Sequence, residues 1–420
     1  MKAYGRDAPW RLDPAVTFLN HGSFGACPVP VLEAQRALID ELEAEPIRFL
    51  WGSREGRLDA ARLEVAAFLH ADPEGLVFVS NATTGVSTVL RSLASTFEPG
   101  DELLTTNHEY NAILNAQAEV ARLSGARVVI APLPFEIESN DQVLEALLGA
   151  VTPRTRLAVI SHITSPTATI LPIEAIVRAL ADRAIDTLVD AAHAPGAVPV
   201  DVEALGAAYW TANGHKWPCG PKGSGVLHVR ADRRDRIHPL VISHGFNDSR
   251  PGRPRLWKEF DWTGTGDPTP YLALPVALRT IEALRPDGWP GVQRANHELV
   301  LAGRRIVAEA LGVATRTPAS MVGSMATIRL PIPPMPDEAI DALKAAIVTD
   351  DRIEVPLTGW PVPAAREAPD ALPEAVAIRI SAQRYNEPAD YERLAKALPR
   401  LLAPSRFRSG SAEPRAQPAD

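Results

Sequence analysis

The chain has 420 residues, with 43 Lys plus Arg against 51 Asp plus Glu, a formal net charge of −8, 39 Pro, 27 Gly and two Cys. At roughly 150 residues per domain, this length allows two or three domains, or one large α/β unit with a satellite. The charge is spread along the chain with no basic stripe, which excludes a nucleic-acid or membrane-surface partner.

In chain order, the opening MKAYGRDAPWRLDPAV has charges where a signal peptide needs an apolar run, and no stretch of about 18 apolar residues follows anywhere. Two cysteines, Cys27 and Cys219, make neither a disulfide framework nor a four-thiolate metal site, and they fit a reducing compartment. The expected location is cytoplasmic. From Leu76 onward, apolar β-branched runs alternate with helical patterns: strand Leu76 to Ser80, helix Thr84 to Ala94, strand Leu103 to Thr106, helix Asn111 to Leu123, strand Arg127 to Ala131. The alternation continues through Leu157 to His162, Ile173 to Ala181 and Thr187 to Asp190, and closes with Gly225 to Arg230. Near-continuous apolar strands between amphipathic helices require a mostly parallel sheet covered on both faces, a doubly wound α/β domain. After about Pro275 come helices at Val276 to Leu284 and Val292 to Leu311, then strands near Ala326 to Leu330 and Ala377 to Ser381, which read as a smaller α+β domain. The segment between Pro331 and Pro373 reads as loops around one helix, and Pro404 to Asp420 as a disordered tail. The resulting division is a segment 1–24, a large domain 25–275, a small domain 276–403 and the tail 404–420.

In an open parallel sheet the ligand crevice lies outside the carboxyl ends of the strands. Past the first strand stand Asn81, Ala82, Thr83 and Thr84 opening a helix, where backbone N–H groups and hydroxyls suit a phosphate, although a Thr there is also an ordinary helix cap. Past Thr187 to Val189 comes Asp190, a carboxylate at the end of a buried strand, which is costly unless it meets a cation. It can equally cap the next helix. Asn213-Gly214-His215-Lys216-Trp217 follows the apolar stretch Ala207 to Ala212, and a lysine sheltered there could form a Schiff base; otherwise it is a surface lysine in a turn. Past the second strand, Tyr110 in Asn107-His108-Glu109-Tyr110-Asn111 offers an aromatic face. An anion cradle, a strand-end carboxylate and a lysine are the three handles of pyridoxal 5'-phosphate: donors for the phosphate, a partner for the pyridinium proton, and an amine for the aldehyde.

Seven motifs carry a family resemblance: TFLNHGSFG (17–25), NHEYNA (107–112), DAAHAPG (190–196), NGHKW (213–217), PKGSGVLHVR (221–230), WTGTGDPT (262–269) and RISAQRYN (379–386). Together they resemble the class V aminotransferase superfamily, and within it the isopenicillin N epimerase-like branch. The resemblance covers about residues 15 to 400 and implies fold type I with pyridoxal 5'-phosphate as cofactor. It implies that Lys216 is the Schiff-base lysine and the base for the α-proton, that Asp190 pairs with the pyridinium nitrogen, and that His193 sits against the ring hydroxyl. Tyr110 would cover the ring. Thr83 with the N–H groups around Ala82 and Thr84 would hold the phosphate, helped by Asn213 and His215. Thr265 would reach the phosphate of a neighbouring subunit, which implies a homodimer with shared active sites. Arg379 would clamp the substrate α-carboxylate. Asn20 and His21 would line the substrate pocket, with Tyr385 or Asn386 bracing Arg379. The plain structural alternatives are a capping Asn20, a core-satisfied His21 and a surface Arg379.

On the reaction, one Cα carbanion opens three routes: epimerisation, β-elimination or transamination, chosen by where acids and bases stand. A desulfurase needs a mobile-loop cysteine in the C-terminal region, where neither Cys27 nor Cys219 lies. Epimerisation needs a proton donor across the ring from Lys216, and elimination an acid near the leaving sulfur; Tyr110 or His21 could serve either. The expectation is an amino-acid substrate, or an amino-acid side arm on a secondary metabolite such as an antibiotic precursor, undergoing epimerisation or C–S lysis. Decarboxylation-coupled oxidative deamination or transamination is the alternative, and the segment Ser243 to Trp257 is expected to set the substrate.

Overall fold

Runs such as Leu76–Val79 and Glu102–Thr106 are buried at every position, as strands covered on both faces must be. In the computed structural model, which describes residues 9–403, they join a seven-stranded sheet; the tail expected over 404–420 lies outside the described residues. The strands in chain order are β1 Thr17–Phe18, β2 Leu76–Val79, β3 Glu102–Thr106, β4 Arg127–Ala131, β5 Thr155–Ser161, β6 Asp186–Asp190, β7 Tyr209–Asn213, β8 Gly225–Val229, β9 Met325–Arg329, β10 Ile353–Glu354, β11 Leu357–Trp360 and β12 Ala375–Ser381. The large sheet has the order β2-β8-β7-β6-β5-β3-β4, and only β8 runs against its neighbours. Because side chains alternate along a strand, Leu76, Phe78, Leu104, Ile160, Val189 and Trp210 fill the core on one face, and Val77, Val79, Leu103, Val159, Leu188 and Tyr209 the core on the other. This is the doubly wound sheet that the apolar runs predict. The chain moves from β3 outward to β4, then returns to β5 and proceeds the other way, so the order reverses between β3 and β5 and opens a crevice at their carboxyl ends.

Before β2 the structure adds two long helices, Val29–Ala44 and Arg54–Leu69, which the periodicity does not announce. The second buries Arg54 and Arg62 on its inward face. Arg62 is fully buried between Asp59 and Asp261, 4.1 Å from the Trp257 ring centroid. Charged residues on the core side hide an amphipathic stripe.

The C-terminal part packs β11-β12-β9 as an antiparallel sheet, and β1 pairs with β10, so residues 17–19 lie on this unit, whereas Trp10 packs in the core of the large sheet. Two corrections arise. The 331–373 segment holds the expected helix, Asp337–Asp351, but also β10 and β11. Pro356 and Pro361 bracket β11, which fits because it is an edge strand. The boundary at 275/276 falls inside the helix Leu274–Glu282, whose Leu274, Ala277, Leu278 and Ile281 pack in the core of the large sheet. The cores change along the next helix, Gly288–Leu311: Trp289 and Val292 belong to the first, Val300 and Val307 to the second. No helix among the described residues is long and apolar enough to cross a membrane.

Candidate active site

The carboxyl ends of β2, β5, β6 and β7, the loop before the helix Asn111–Ser124, and the start of the chain converge on a cavity of about 530 Å³. Asn20, Ala82, Thr83, Tyr110, Asp190, His193, Asn213, His215, Lys216 and Arg379, all expected at the site, line it.

The phosphate end is built at the N-terminus of the helix Ala82–Leu93. Asn81 caps it, its Oδ1 accepting from the Thr84 amide (2.9 Å), and Asn213 Oδ1 accepts from the Ala82 amide (2.9 Å). Gly85 lets this helix lie on β7, because a Cβ there would stand 2.0 Å from Thr211 Oγ1. Thr84 faces away, its hydroxyl meeting Ser80 Oγ (2.8 Å) and Asn81 Oδ1 (3.2 Å), and it does not line the cavity. The amide and hydroxyl of Thr84 are thus spent on capping, which corrects its expected place among the phosphate ligands, and the Ala82 amide, expected there too, is engaged by Asn213 although Ala82 lines the wall. Thr83 keeps its place at the wall.

Lys216 Nζ lies 2.9 Å from His193 Nε2. Burial, with the charge of Arg379, pulls the Lys216 amine down to about 7, against a pull upward from Asp190. His193 is held well below the ordinary histidine range by burial and then by Lys216, and its Nδ1 is buried with no hydrogen-bond partner among the described residues. Asp190 ends β6 fully enclosed, accepts from the Ala192 amide (2.9 Å), and is pushed upward by burial. Arg379 on β12 is 6% exposed and donates to Ser165 O (2.5 Å), to Ser165 Oγ (3.1 Å) and to Ser23 Oγ (2.9 Å); among the described residues it pairs with no carboxylate. Burial lowers it to about 10. It is not a surface arginine. An anion of the right size would complete it.

His21 and Tyr385 are corrected. His21 is fully buried with both ring nitrogens engaged: Nδ1 with Tyr385 Oη (2.6 Å), Nε2 with the Lys216 carbonyl (3.0 Å). Burial holds it at about 3. Neither residue lines the cavity, so His21 is a support behind Lys216 rather than a proton donor, and Tyr385 braces His21. Gly25 belongs to the same support, since a Cβ there would lie 2.5 Å from the Lys216 carbonyl. Asn386 reaches the Phe18 carbonyl (2.9 Å) and Asp390 (3.1 Å). Asn20 does line the cavity, with Oδ1 buried and unpartnered among the described residues. Thr265 is exposed in the turn after Trp262 and faces a groove with Ile39, Leu42 and Leu50, outside the cavity of its own chain. Of Ser243 to Trp257, no residue lines the cavity.

The motif reading misses Ser161, Ser165 and Glu109. The first two follow from the strand-end rule applied to β5. Glu109 is fully buried; its Oε1 accepts from the Tyr110 amide (2.8 Å) and Ser161 Oγ (2.6 Å), and its Oε2 has no partner among the described residues. Burial, then the charge of Asp190, raises it to about 8. A carboxyl raised in the folded state adds stability that is full below its unfolded range and is lost as pH climbs toward 8. The cofactor-free Glu109→Gln protein is therefore expected to lose less thermal stability than the parent between pH 5 and 9, the two converging toward pH 5. Melting curves that fall in parallel would count against a buried, protonated Glu109.

The donor set fits pyridoxal 5'-phosphate: a buried strand-end carboxylate, an amine held near neutrality, and unpartnered buried atoms on His193 and Asn20. Comparison with known proteins agrees. The profile of the family described as Aminotransferase class-V matches residues 28–282. A putative L-cysteine desulfhydrase 1 of Oryza sativa subsp. japonica is 33% identical over 413 residues, covering 93% of this chain and 84% of that protein. The isopenicillin N epimerase of Amycolatopsis lactamdurans is also 33% identical, over 402 residues, covering 93% and 96%. Among solved structures, the cystine C–S lyase C-DES in complex with its reaction product cysteine persulfide shares the fold with TM-score 0.73 at 22% identity, covering 92% and 97%. The cysteine desulfurase CsdA of Escherichia coli has TM-score 0.75 at 21%, covering 94% and 96%. With the sheet order, the lysine just past β7 and the carboxylate at the end of β6 all in agreement, this chain belongs to the class V aminotransferase family and is a pyridoxal 5'-phosphate-dependent enzyme.

Proposed function

We infer that the enzyme removes the Cα proton of an L-amino-acid substrate and then cleaves a Cβ–S bond, acting as a cysteine or cysteine-conjugate C–S lyase. The observation that carries this reading is a single cavity holding Lys216, with an amine near neutrality, and a carboxylate-free Arg379. The pyridoxal group, when bound, supplies the electron sink that makes Cα acidic. Arg379 holds the α-carboxylate and so fixes the Cα–H bond. Lys216 takes the proton from Cα and can return it to the departing sulfur, so elimination needs no second base. Asp190 would keep a proton on the ring nitrogen, Tyr110 would cover the ring, and Thr83, Asn213 and His215 would hold the phosphate. The net change is loss of thiol from the substrate, with hydrolysis giving a 2-oxo acid and ammonia.

Neither cysteine favours persulfide chemistry. Cys27 and Cys219 are buried, and burial raises both thiols, Cys27 to about 11. Epimerisation is the second reading, favoured by one feature: Tyr110 is 45% exposed at the cavity, a phenol open to substrate as the donor across the ring. We also read the enzyme as a homodimer in which Thr265 serves the partner's phosphate. Support comes from exposed apolar side chains at Ile47, Trp51, Val241 and Phe246.

Incubation with L-cysteine, S-substituted cysteines and other L-amino acids in deuterated water separates these reactions. Thiol with a 2-oxo acid is the expected result; α-deuterated D-amino acid would establish epimerisation instead. Absence of both, and of any α-deuterium exchange, would overturn the reading.

A further inference from the structure

Beyond Arg379 the cofactor cavity continues into a second chamber of about 310 Å³, and Ser23, Tyr110, Ser165, Pro356 and Arg379 line both. Its remaining walls are Asn111, Pro166, Leu357, Thr358, Val362 and Pro363. Leu357 and Val362 are largely buried side chains, and the prolines hold their backbone at fixed φ, so the walls are stiff.

The polar groups in this lining are mostly spent within the protein. Asn111 Oδ1 accepts from the Ala364 amide (2.9 Å), which ties the loop after β11 to the helix Asn111–Ser124. The Thr358 hydroxyl donates to the Gly359 carbonyl (3.2 Å). Ser23 and Ser165 accept from Arg379. Among the described residues Arg379 is the only charged one lining the chamber, and its guanidinium belongs to the α-carboxylate. Apart from the Tyr110 hydroxyl, which lines both spaces, the chamber offers a charged substituent no counter-charge but Arg379, whereas an apolar one would gain by burial.

We propose that this chamber is the side-chain subsite of the enzyme and receives a bulky, uncharged, apolar substituent on the sulfur or side-chain end of the substrate amino acid. The proposal rests on the C–S lyase reading and narrows it, from cysteine itself to S-conjugates carrying a group of benzyl size or larger. One residue, Tyr110, then faces both the ring and the substituent.

The test uses two unreactive carboxylates that lack the amino group, 3-(benzylsulfanyl)propanoate and 3-(methylsulfanyl)propanoate, titrated into the cofactor-loaded enzyme by calorimetry. The benzyl compound is expected to bind at least about tenfold more tightly. Thr358→Trp, which takes up part of the chamber where the substituent would lie, is expected to reduce that preference to less than about twofold, with the methyl compound's affinity moving by less than about twofold. Val362→Phe narrows the same space and must give the same loss, which guards against a Thr358→Trp protein that does not fold. Equal binding of the two compounds by the parent enzyme, or variants that weaken both alike, would overturn the subsite. If α-deuterium exchange with L-cysteine proceeds while the benzyl preference is absent, only this proposal falls. If no amino acid exchanges its α-proton, the C–S lyase reading falls with it.

Discussion

Replacing Lys216 by alanine is expected to lower turnover of every amino-acid substrate by about 10³-fold or more, since a placed general base alone contributes about 10²–10⁴, and to remove the borohydride-sensitive absorbance band of the bound cofactor. The environment explains the size. The amine is drawn to about 7 by burial and by Arg379, so near neutral pH it is available both as nucleophile and as base. His193, 2.9 Å away, is a poor substitute, because burial and the charge of Arg379, both of which remain in the variant, keep its ring a weak base. Alanine leaves the carbonyl of residue 216 in place to accept from His21, so the loop should keep its course. Small exogenous amines should restore part of the rate, with rescue declining as the amine outgrows the space of one lysine side chain. A Lys216→Ala protein that keeps the band and its bleaching by borohydride would remove Lys216 from the chemistry.

Much of this site is legible in the sequence because a parallel sheet displays its function at strand ends. Once the apolar runs place β6 and β7, Asp190 and Lys216 fall at the crevice without further information. What stays hidden depends on contacts between distant segments. Nothing near His21 says that its ring will be closed off by Tyr385, 364 positions away, and by the Lys216 carbonyl. Nothing near Glu109 says that Asp190 will stand close enough to push its carboxyl upward. The N-terminal helices escape for a different reason: Arg62 sits fully buried among Asp59, Asp261 and Trp257, so the residue that a pattern places in solvent is the most enclosed on its helix. Thr84 shows the opposite failure, since a residue type suited to phosphate is spent on capping the helix that opens the cradle.

Arg379 is where a conservative change should be costly. Each hydrogen bond to a charged group is worth roughly 1.5–3 kcal/mol, and a lysine can supply one such contact where the guanidinium supplies two in a plane. Arg379→Lys is therefore expected to raise KM for the amino acid by about 10²-fold with a smaller fall in kcat. Arg379→Ala should lose more, because Ser23 Oγ and the Ser165 carbonyl and hydroxyl then lose their donor as well. That second effect is structural, so the decisive measurement is one that a loosened wall would not move. Parent enzyme should discriminate strongly between an S-substituted cysteine and the corresponding S-substituted cysteamine, which lacks the carboxylate. In Arg379→Ala the discrimination should collapse toward unity, and added guanidinium should partly restore it. If the variant is slow on both compounds yet still prefers the carboxylate by the parental factor, Arg379 supports the wall and another group binds the acid. The charge pattern argues against that outcome: among the described residues lining the cavity Arg379 is the buried cation held by two serines and no carboxylate, whereas Lys222 is turned to the Gly25 carbonyl (2.6 Å) and Lys344 stands exposed on its helix. A desolvated guanidinium held only by neutral acceptors gains most from an anion that arrives with the substrate.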